Sequence, residues 1–80
     1  MKAKFSEKKS AKDIIQEGRV LGLHPGSMEM IAEKVARKVA KWTEERSEIT
    51  EDDLTRVTAR ELARYNKDLS FVYKNRDKII

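Results

Sequence analysis

Residues with the functional groups for catalysis are few in this chain, and their spacing does not favour it. The only histidine, His24, lies in the segment 22–26 beside proline and glycine and has no cysteine or carboxylate at ligand spacing, whereas a zinc site needs several ligands. Ser27 has no neighbouring base that would activate its hydroxyl, so we interpret it as the N-cap of a helix. The chain has no cysteine and no glycine-rich phosphate loop before a helix. We therefore predict a protein that is not an enzyme, with no metal and no cofactor.

A cluster of carboxylates in the middle of the chain has a simpler explanation than cation binding. Glu48, Glu51, Asp52 and Asp53 lack the glycine and the alternating ligand spacing of a calcium loop. Thr50 and Asp53 have the spacing of a capping box, in which each side chain accepts from the backbone N–H of the other residue. A helix that begins after Thr50 would place three carboxylates at the positive end of its dipole. We therefore expect a helix start here.

Three arginines offer the clearest chemistry for binding. Arg56, Arg60 and Arg64 recur every four residues, so they fall on one face of a helix, and a row of guanidinium groups can neutralise phosphates. The alternative is a solvated face on which the arginines pair with Glu61 and with the acidic residues 51–53. Both interpretations remain open at this point.

Composition limits the chain to one small domain. Of its 80 residues 39% are hydrophobic and 40% charged, with a net charge of +4, which suits a helical domain with a thin core and charged outer faces. No apolar run reaches the roughly 20 residues of a membrane span, and no apolar segment follows the basic N-terminus as in a secretory signal. We expect a cytoplasmic protein that does not bind a membrane.

Hydrophobic periodicity and capping signals predict an all-α fold, a compact bundle of four short helices. Residues 1–9 are predicted to be a basic tail and residues 10–80 a single helical domain. Gly18 and Gly22 are candidate stops of the first helix. The predicted N-caps are Ser10, Ser27, Thr50 and Asp68. The predicted helices are Ala11–Val20, Ser27–Glu45, Glu51–Tyr65 and Leu69–Arg76.

Apolar residues at steps of three and four predict which helix faces are buried. In the second helix this stripe runs from Met28 to Trp42, and alanines beside it would let another helix approach closely. Tyr65 is expected to face inward on the third helix. The predicted core consists of Ile14, Ile15, Leu21, Ile31, Val35, Val39, Trp42, Ile49, Leu54, Val57, Leu62, Leu69 and Val72.

Five short motifs carry a resemblance to a known family. They are Phe5-Ser6-Glu7-Lys8-Lys9, Gly18, Ile31-Ala32-Glu33-Lys34-Val35, Glu48-Ile49-Thr50 and Val72-Tyr73-Lys74. Their order and spacing resemble the ATP-cone, a small regulatory domain attached to ribonucleotide reductases, their transcriptional repressor and some archaeal kinases. The resemblance implies nucleotide binding with Lys9 as a phosphate contact. Lys9 alone is carried over, because the family's N-terminal β-hairpin, which contacts the nucleotide, has no counterpart before Phe5.

A second resemblance concerns the third helix alone. Thr50-Glu51-Asp52-Asp53-Leu54 is similar to the start of the third helix in the histone fold. The central helix of that fold is longer than the predicted second helix by about two turns. We rank this resemblance below the ATP-cone.

These observations lead to one principal prediction and two alternatives. The principal prediction is a non-catalytic regulatory or interaction module, a reduced ATP-cone that senses a nucleotide through Lys9 or binds another protein. The first alternative is nucleic-acid binding through Arg56, Arg60 and Arg64. The second is a homodimer formed through the exposed part of the Met28–Trp42 stripe.

Overall fold

Residues 3–75 form four helices, and each begins after a residue whose side chain caps it. The computed structural model describes residues 3–75 and contains α1 (Glu7–Val20), α2 (Pro25–Glu44), α3 (Glu51–Leu62) and α4 (Lys67–Asn75). α1 packs against α2, α2 against α3, and α3 against α4, which also contacts α1. The prediction of an all-α bundle of short helices is confirmed. The predicted end of the fourth helix, Arg76, lies outside the described residues.

α1 and α2 begin earlier than predicted because a residue closer to the N-terminus provides the cap. α1 is capped by Ser6, whose Oγ accepts from the Lys9 backbone N–H at 3.3 Å, so the predicted start at Ala11 with Ser10 as cap is wrong. α2 is capped by His24, whose Nδ1 accepts from the Gly26 N–H at 3.2 Å, so Ser27 as cap is wrong as well. Proline at the first position of α2 favours this start because its φ angle is already helical.

The start of α3 agrees with the prediction. Thr50 Oγ1 accepts from the Asp53 N–H at 3.0 Å, and Asp53 Oδ2 accepts from the Thr50 N–H at 3.1 Å, which completes the capping box. The other end differs, since α3 stops at Leu62 and the chain turns. Tyr65 lies in this turn with 44% of its surface exposed, so its predicted inward orientation is wrong.

The cap of α4 is Asn66 instead of Asp68. Asn66 Oδ1 accepts from the Leu69 N–H at 3.0 Å, and Asp68 follows in the first turn of the helix. A carboxylate in that turn still interacts favourably with the helix dipole. The helix therefore begins two residues before the predicted start at Leu69.

The core agrees in large part with the predicted hydrophobic positions. Predicted core residues that are buried are Ile14, Val35, Val39, Ile49, Leu54, Val57, Leu62 and Leu69. Those that are half-buried are Ile15, Leu21, Ile31, Trp42 and Val72. Further buried residues are Met28, Ala32, Ala36, Ala59 and Tyr73. Most of the Met28–Trp42 stripe is thus used inside the molecule.

Close contact between α1 and α2 depends on a glycine inside α1. Gly18 is buried, and a Cβ atom built on it would lie 2.6 Å from Met28 Sδ and Cε. Gly18 is therefore a packing residue within the helix, and its prediction as a helix stop is wrong. Gly22 ends α1 instead, with φ of 72°. The Leu23 N–H donates to the Gly18 carbonyl at 2.9 Å, the long bond of a Schellman motif.

The segment before α1 takes part in the fold. The Ala3 N–H donates to the Ile49 carbonyl at 2.7 Å, and Phe5 is half-buried against the core. Residues 7–9, which the sequence placed in a tail, form the first turn of α1. This segment therefore lies beside the start of α3, and the two together shape the groove described next.

Candidate functional site

The N-terminal segment, the first half of α1 and the start of α3 enclose a groove of about 710 Å³. Lys4 and Lys9 contribute positive charge to its lining, and Asp13 and Glu51 contribute carboxylates. The hydroxyl groups in its lining belong to Ser6, Ser10, Thr43, Thr55, Thr58 and Tyr73. The groove thus combines cations, carboxylates and hydroxyl groups over a small area.

Ser10 is the most informative residue of this groove. Its side chain is only 7% exposed, and within residues 3–75 its Oγ is the one buried side-chain polar atom without a hydrogen-bond partner. A buried polar group without a partner costs roughly 1–3 kcal/mol. Such a group in the lining of a groove is free to bond with a molecule that enters from solvent.

Lys9 occupies the first turn of α1 and is the sequence-predicted phosphate contact. Its backbone N–H is already used by the Ser6 cap, while its exposed side chain lines the groove. Lys4, which precedes the helix, lines the same groove and is also exposed. Two lysines and residues of the first turn of α1, the positive end of its dipole, therefore line the same groove.

The three arginines of the predicted column do not line this groove. Arg56 Nη2 contacts Asp52 Oδ2 at 2.9 Å, and Arg64 Nε contacts Glu61 Oε2 at 3.4 Å, whereas Arg60 is exposed without an ion pair among residues 3–75. Pairing with Glu61 and with the acidic cluster is what the solvated-face interpretation expects. The Arg56–Asp52 pair is exposed on both sides, and exposed pairs contribute little to stability.

Glu61 also links two helices, a contact that the sequence did not indicate. Its side chain is 12% exposed, and its Oε1 lies 3.4 Å from Lys38 Nζ on α2. One half-buried carboxylate therefore holds Lys38 and Arg64. No local spacing could have identified this pair, because the two residues are 23 positions apart.

The acidic cluster lies at the N-terminus of α3 and takes part in the start of that helix. The Thr50 backbone N–H, followed by the Thr50 hydroxyl, holds the pKa of Asp53 below its ordinary value, and Arg56 and Arg46 add a smaller effect in the same direction. Hydrogen bonds to a carboxylate stabilise its charged form. Within the described part of the chain, no group of three or more His, Cys, Asp or Glu side chains could hold a metal ion.

Comparisons with protein-family models, curated proteins and solved structures found no match to this chain. Between residues 3 and 75, no helix has the length and apolar character needed to cross a bilayer.

Proposed function

We propose that this chain is a non-catalytic regulatory module that binds a nucleoside phosphate in the groove between the N-terminal segment and α3. The observation that supports the proposal most directly is the Ser10 hydroxyl, which is buried at the groove and lacks a partner within residues 3–75. Lys9, the residue that resembles the phosphate contact of the ATP-cone, lines the same groove. The regulatory role rests on that resemblance.

The mixed charge of the lining favours a nucleoside phosphate over a bare anion. Lys4 and Lys9 suit a phosphate group, since ammonium groups make strong charge-assisted hydrogen bonds to its oxygens. Asp13 and Glu51 would repel a second anion but can accept hydrogen bonds from ribose hydroxyls or an exocyclic amine. The volume of about 710 Å³ also falls within the roughly 300–1,000 Å³ typical of small-molecule sites.

Titration followed by amide NMR tests this proposal. ATP, dATP, adenosine and tripolyphosphate are added separately to the ¹⁵N-labelled chain. We expect ATP or dATP to shift the amides of residues 4–13 and 51–58, and we expect adenosine and tripolyphosphate to bind more weakly because each offers only one half of the ligand. No perturbation in either segment at saturating ATP and dATP removes the proposal.

Adjacent lysines provide a matched pair of variants. Lys9→Gln should weaken nucleotide binding by roughly 1–2 kcal/mol, the range for a partly exposed charge-assisted hydrogen bond. Lys8→Gln removes the same charge from a neighbouring exposed residue that does not line the groove, so it should change affinity little. Equal losses in the two variants would indicate a general effect of net charge and contradict a specific contact by Lys9.

A further inference from the structure

Exposed aromatic side chains are confined to the end of the molecule formed by α3 and α4. Among the described residues, the large hydrophobic side chains that are exposed include two aromatics, Tyr65 at 44% and Phe71 at 67%. Tyr65 lies in the turn after α3, and Phe71 lies on α4. Neither ring belongs to the hydrophobic core. An aromatic ring left in water without a packing role is a candidate contact for a partner.

Positive charge flanks Phe71 along its own helix. Lys67 and Lys74 are four residues before and three residues after it, so the three side chains share the outer face of α4. Both lysines are exposed and form no ion pair with any residue in the range 3–75. The outer face of α4 therefore presents an aromatic ring between two ammonium groups that have no ion pair within the described residues.

The end of α3 adds further cations beside this face. Ser70 Oγ donates to the Ala59 carbonyl at 2.6 Å, which fixes α4 against the C-terminal half of α3. Arg60 near the end of α3 and Arg64 in the turn after it are both exposed. The acidic residues in the same segments are Glu61, which is shared by Lys38 and Arg64, and Asp68 in the first turn of α4. The four cations Arg60, Arg64, Lys67 and Lys74 therefore outnumber the carboxylates of residues 60–75.

We propose that these residues form a binding surface for single-stranded nucleic acid. This aromatic–basic surface consists of Arg60, Arg64, Tyr65, Lys67, Phe71 and Lys74. Proteins that bind single strands combine cations that follow the phosphates with aromatic rings on which bases stack. Phe71, an exposed ring between two lysines that form no ion pair with residues 3–75, has both properties. A duplex fits this surface less well, because its bases are stacked inside and offer Phe71 no free face. A protein partner also fits less well, because the core of a protein–protein interface is depleted in lysine.

Fluorescence anisotropy of labelled 12-nucleotide oligo(dT) and oligo(U) with the full chain tests the proposal. Binding should weaken with salt, because displaced counterions are released from each neutralised phosphate. Phe71→Leu should reduce affinity about fivefold or more, the lower bound for losing one base–aromatic stack. Phe71→Tyr keeps a ring and should bind as the unmodified chain does. Met30→Ala, at an exposed apolar residue of α2, should have no effect.

Charge variants separate this surface from the net charge of the protein. Lys67→Gln with Lys74→Gln should lower affinity and reduce the log–log salt slope by about 1.4, since each contact with a single-strand phosphate contributes about 0.7. Lys34→Gln with Lys41→Gln removes the same charge from exposed residues of α2 and should leave the slope unchanged. Lys9→Gln should have no effect, so failure of the nucleotide proposal would leave this one standing.

Several outcomes would overturn the inference. No binding at 20 mM salt removes it, and so does equal loss in the two lysine pairs. Equally tight binding of a duplex, or full affinity in Phe71→Leu, would contradict base stacking. Sedimentation that shows a dimer dissociated by Phe71→Ala would instead assign the exposed ring to contact between two copies of the chain.

Discussion

Replacement of Gly18 by alanine is the sharpest test of the packing between α1 and α2. Alanine inside an exposed helix is normally more stable than glycine by about 1 kcal/mol. At Gly18 the new Cβ would lie 2.6 Å from Met28 Sδ and Cε and 2.7 Å from Cγ. Met28 is buried and has little room to move. Overpacking of this kind costs about 1–3 kcal/mol, so we expect Gly18→Ala to lower the free energy of unfolding by about 1 kcal/mol.

A double-mutant cycle isolates the steric contribution. Met28→Ala removes the three atoms that the new Cβ would meet, at a cost of about 2–5 kcal/mol by itself. In that background Gly18→Ala should stabilise the protein by about 1 kcal/mol, because only the gain in helix propensity remains. The effect of the same substitution therefore changes sign between the two backgrounds. Urea unfolding followed by circular dichroism at 222 nm measures all four proteins, with sucrose present to keep the weakest variant folded.

The control and the refuting result are equally specific. Gln16 is exposed on the same helix, so Gln16→Gly should cost about 0.5–1 kcal/mol in both backgrounds without coupling to Met28. If Gly18→Ala raises the free energy of unfolding equally with and without the Met28 side chain, α1 and α2 do not approach as closely as the structure shows.

Two further predictions concern backbone signals at helix ends. Thr50→Ala should destabilise the protein by about 1 kcal/mol through loss of the cap; it should also raise the pKa of Asp53 toward its ordinary value, as followed by NMR of the carboxyl carbon. Because folding lowers the pKa of Asp53, its carboxylate stabilises the native state above the unfolded pKa, and this stabilisation is lost as pH falls through the folded value. If acid lowers the stability of the Thr50→Ala variant through Asp53 as much as it does in the unmodified chain, the capping box is contradicted. Gly22→Ala should cost about 1–2 kcal/mol from its positive φ alone, since nothing lies within 4 Å of the added Cβ. Gly22→Asn should cost less, and equal losses in thermal unfolding would point to a cause other than backbone strain.

The fold was predictable wherever a local signal had no competitor. Thr50 and Asp53 specify a helix start through side-chain contacts with nearby backbone groups, and the structure has that start. Where two caps competed, the sequence could not choose. Ser6 and Ser10 both have capping side chains, and the start at Ser6 is favoured by a segment whose Phe5 packs against the core. Contacts of that kind join residues distant in sequence, so a local pattern does not contain them.

Gly18 illustrates a different kind of failure. Glycine is rare in helix interiors because of its conformational entropy, so its presence predicts a helix stop. The same residue also allows a neighbouring helix to approach closely, and the choice between these roles depends on what lies opposite. Met28 lies opposite here. Only the packing of α1 against α2 brings the two together, and neither residue by itself indicates that packing.

The candidate site likewise has a part that a local motif indicates and a part that depends on residues distant in sequence. Lys9 was a candidate only because the motif Phe5–Lys9 resembles a stretch of the ATP-cone, and that motif is local in sequence. The groove could not be predicted, because its lining comes from residues 3–13, from the start of α3, and from Thr43 and Tyr73. The role of Ser10 differs between the predicted and the observed start of α1. As a predicted cap its hydroxyl had a backbone partner, but the extension of α1 back to Ser6 turned it into a buried group with no partner within residues 3–75. The error in the predicted helix boundary and the unpartnered Ser10 hydroxyl therefore have the same cause.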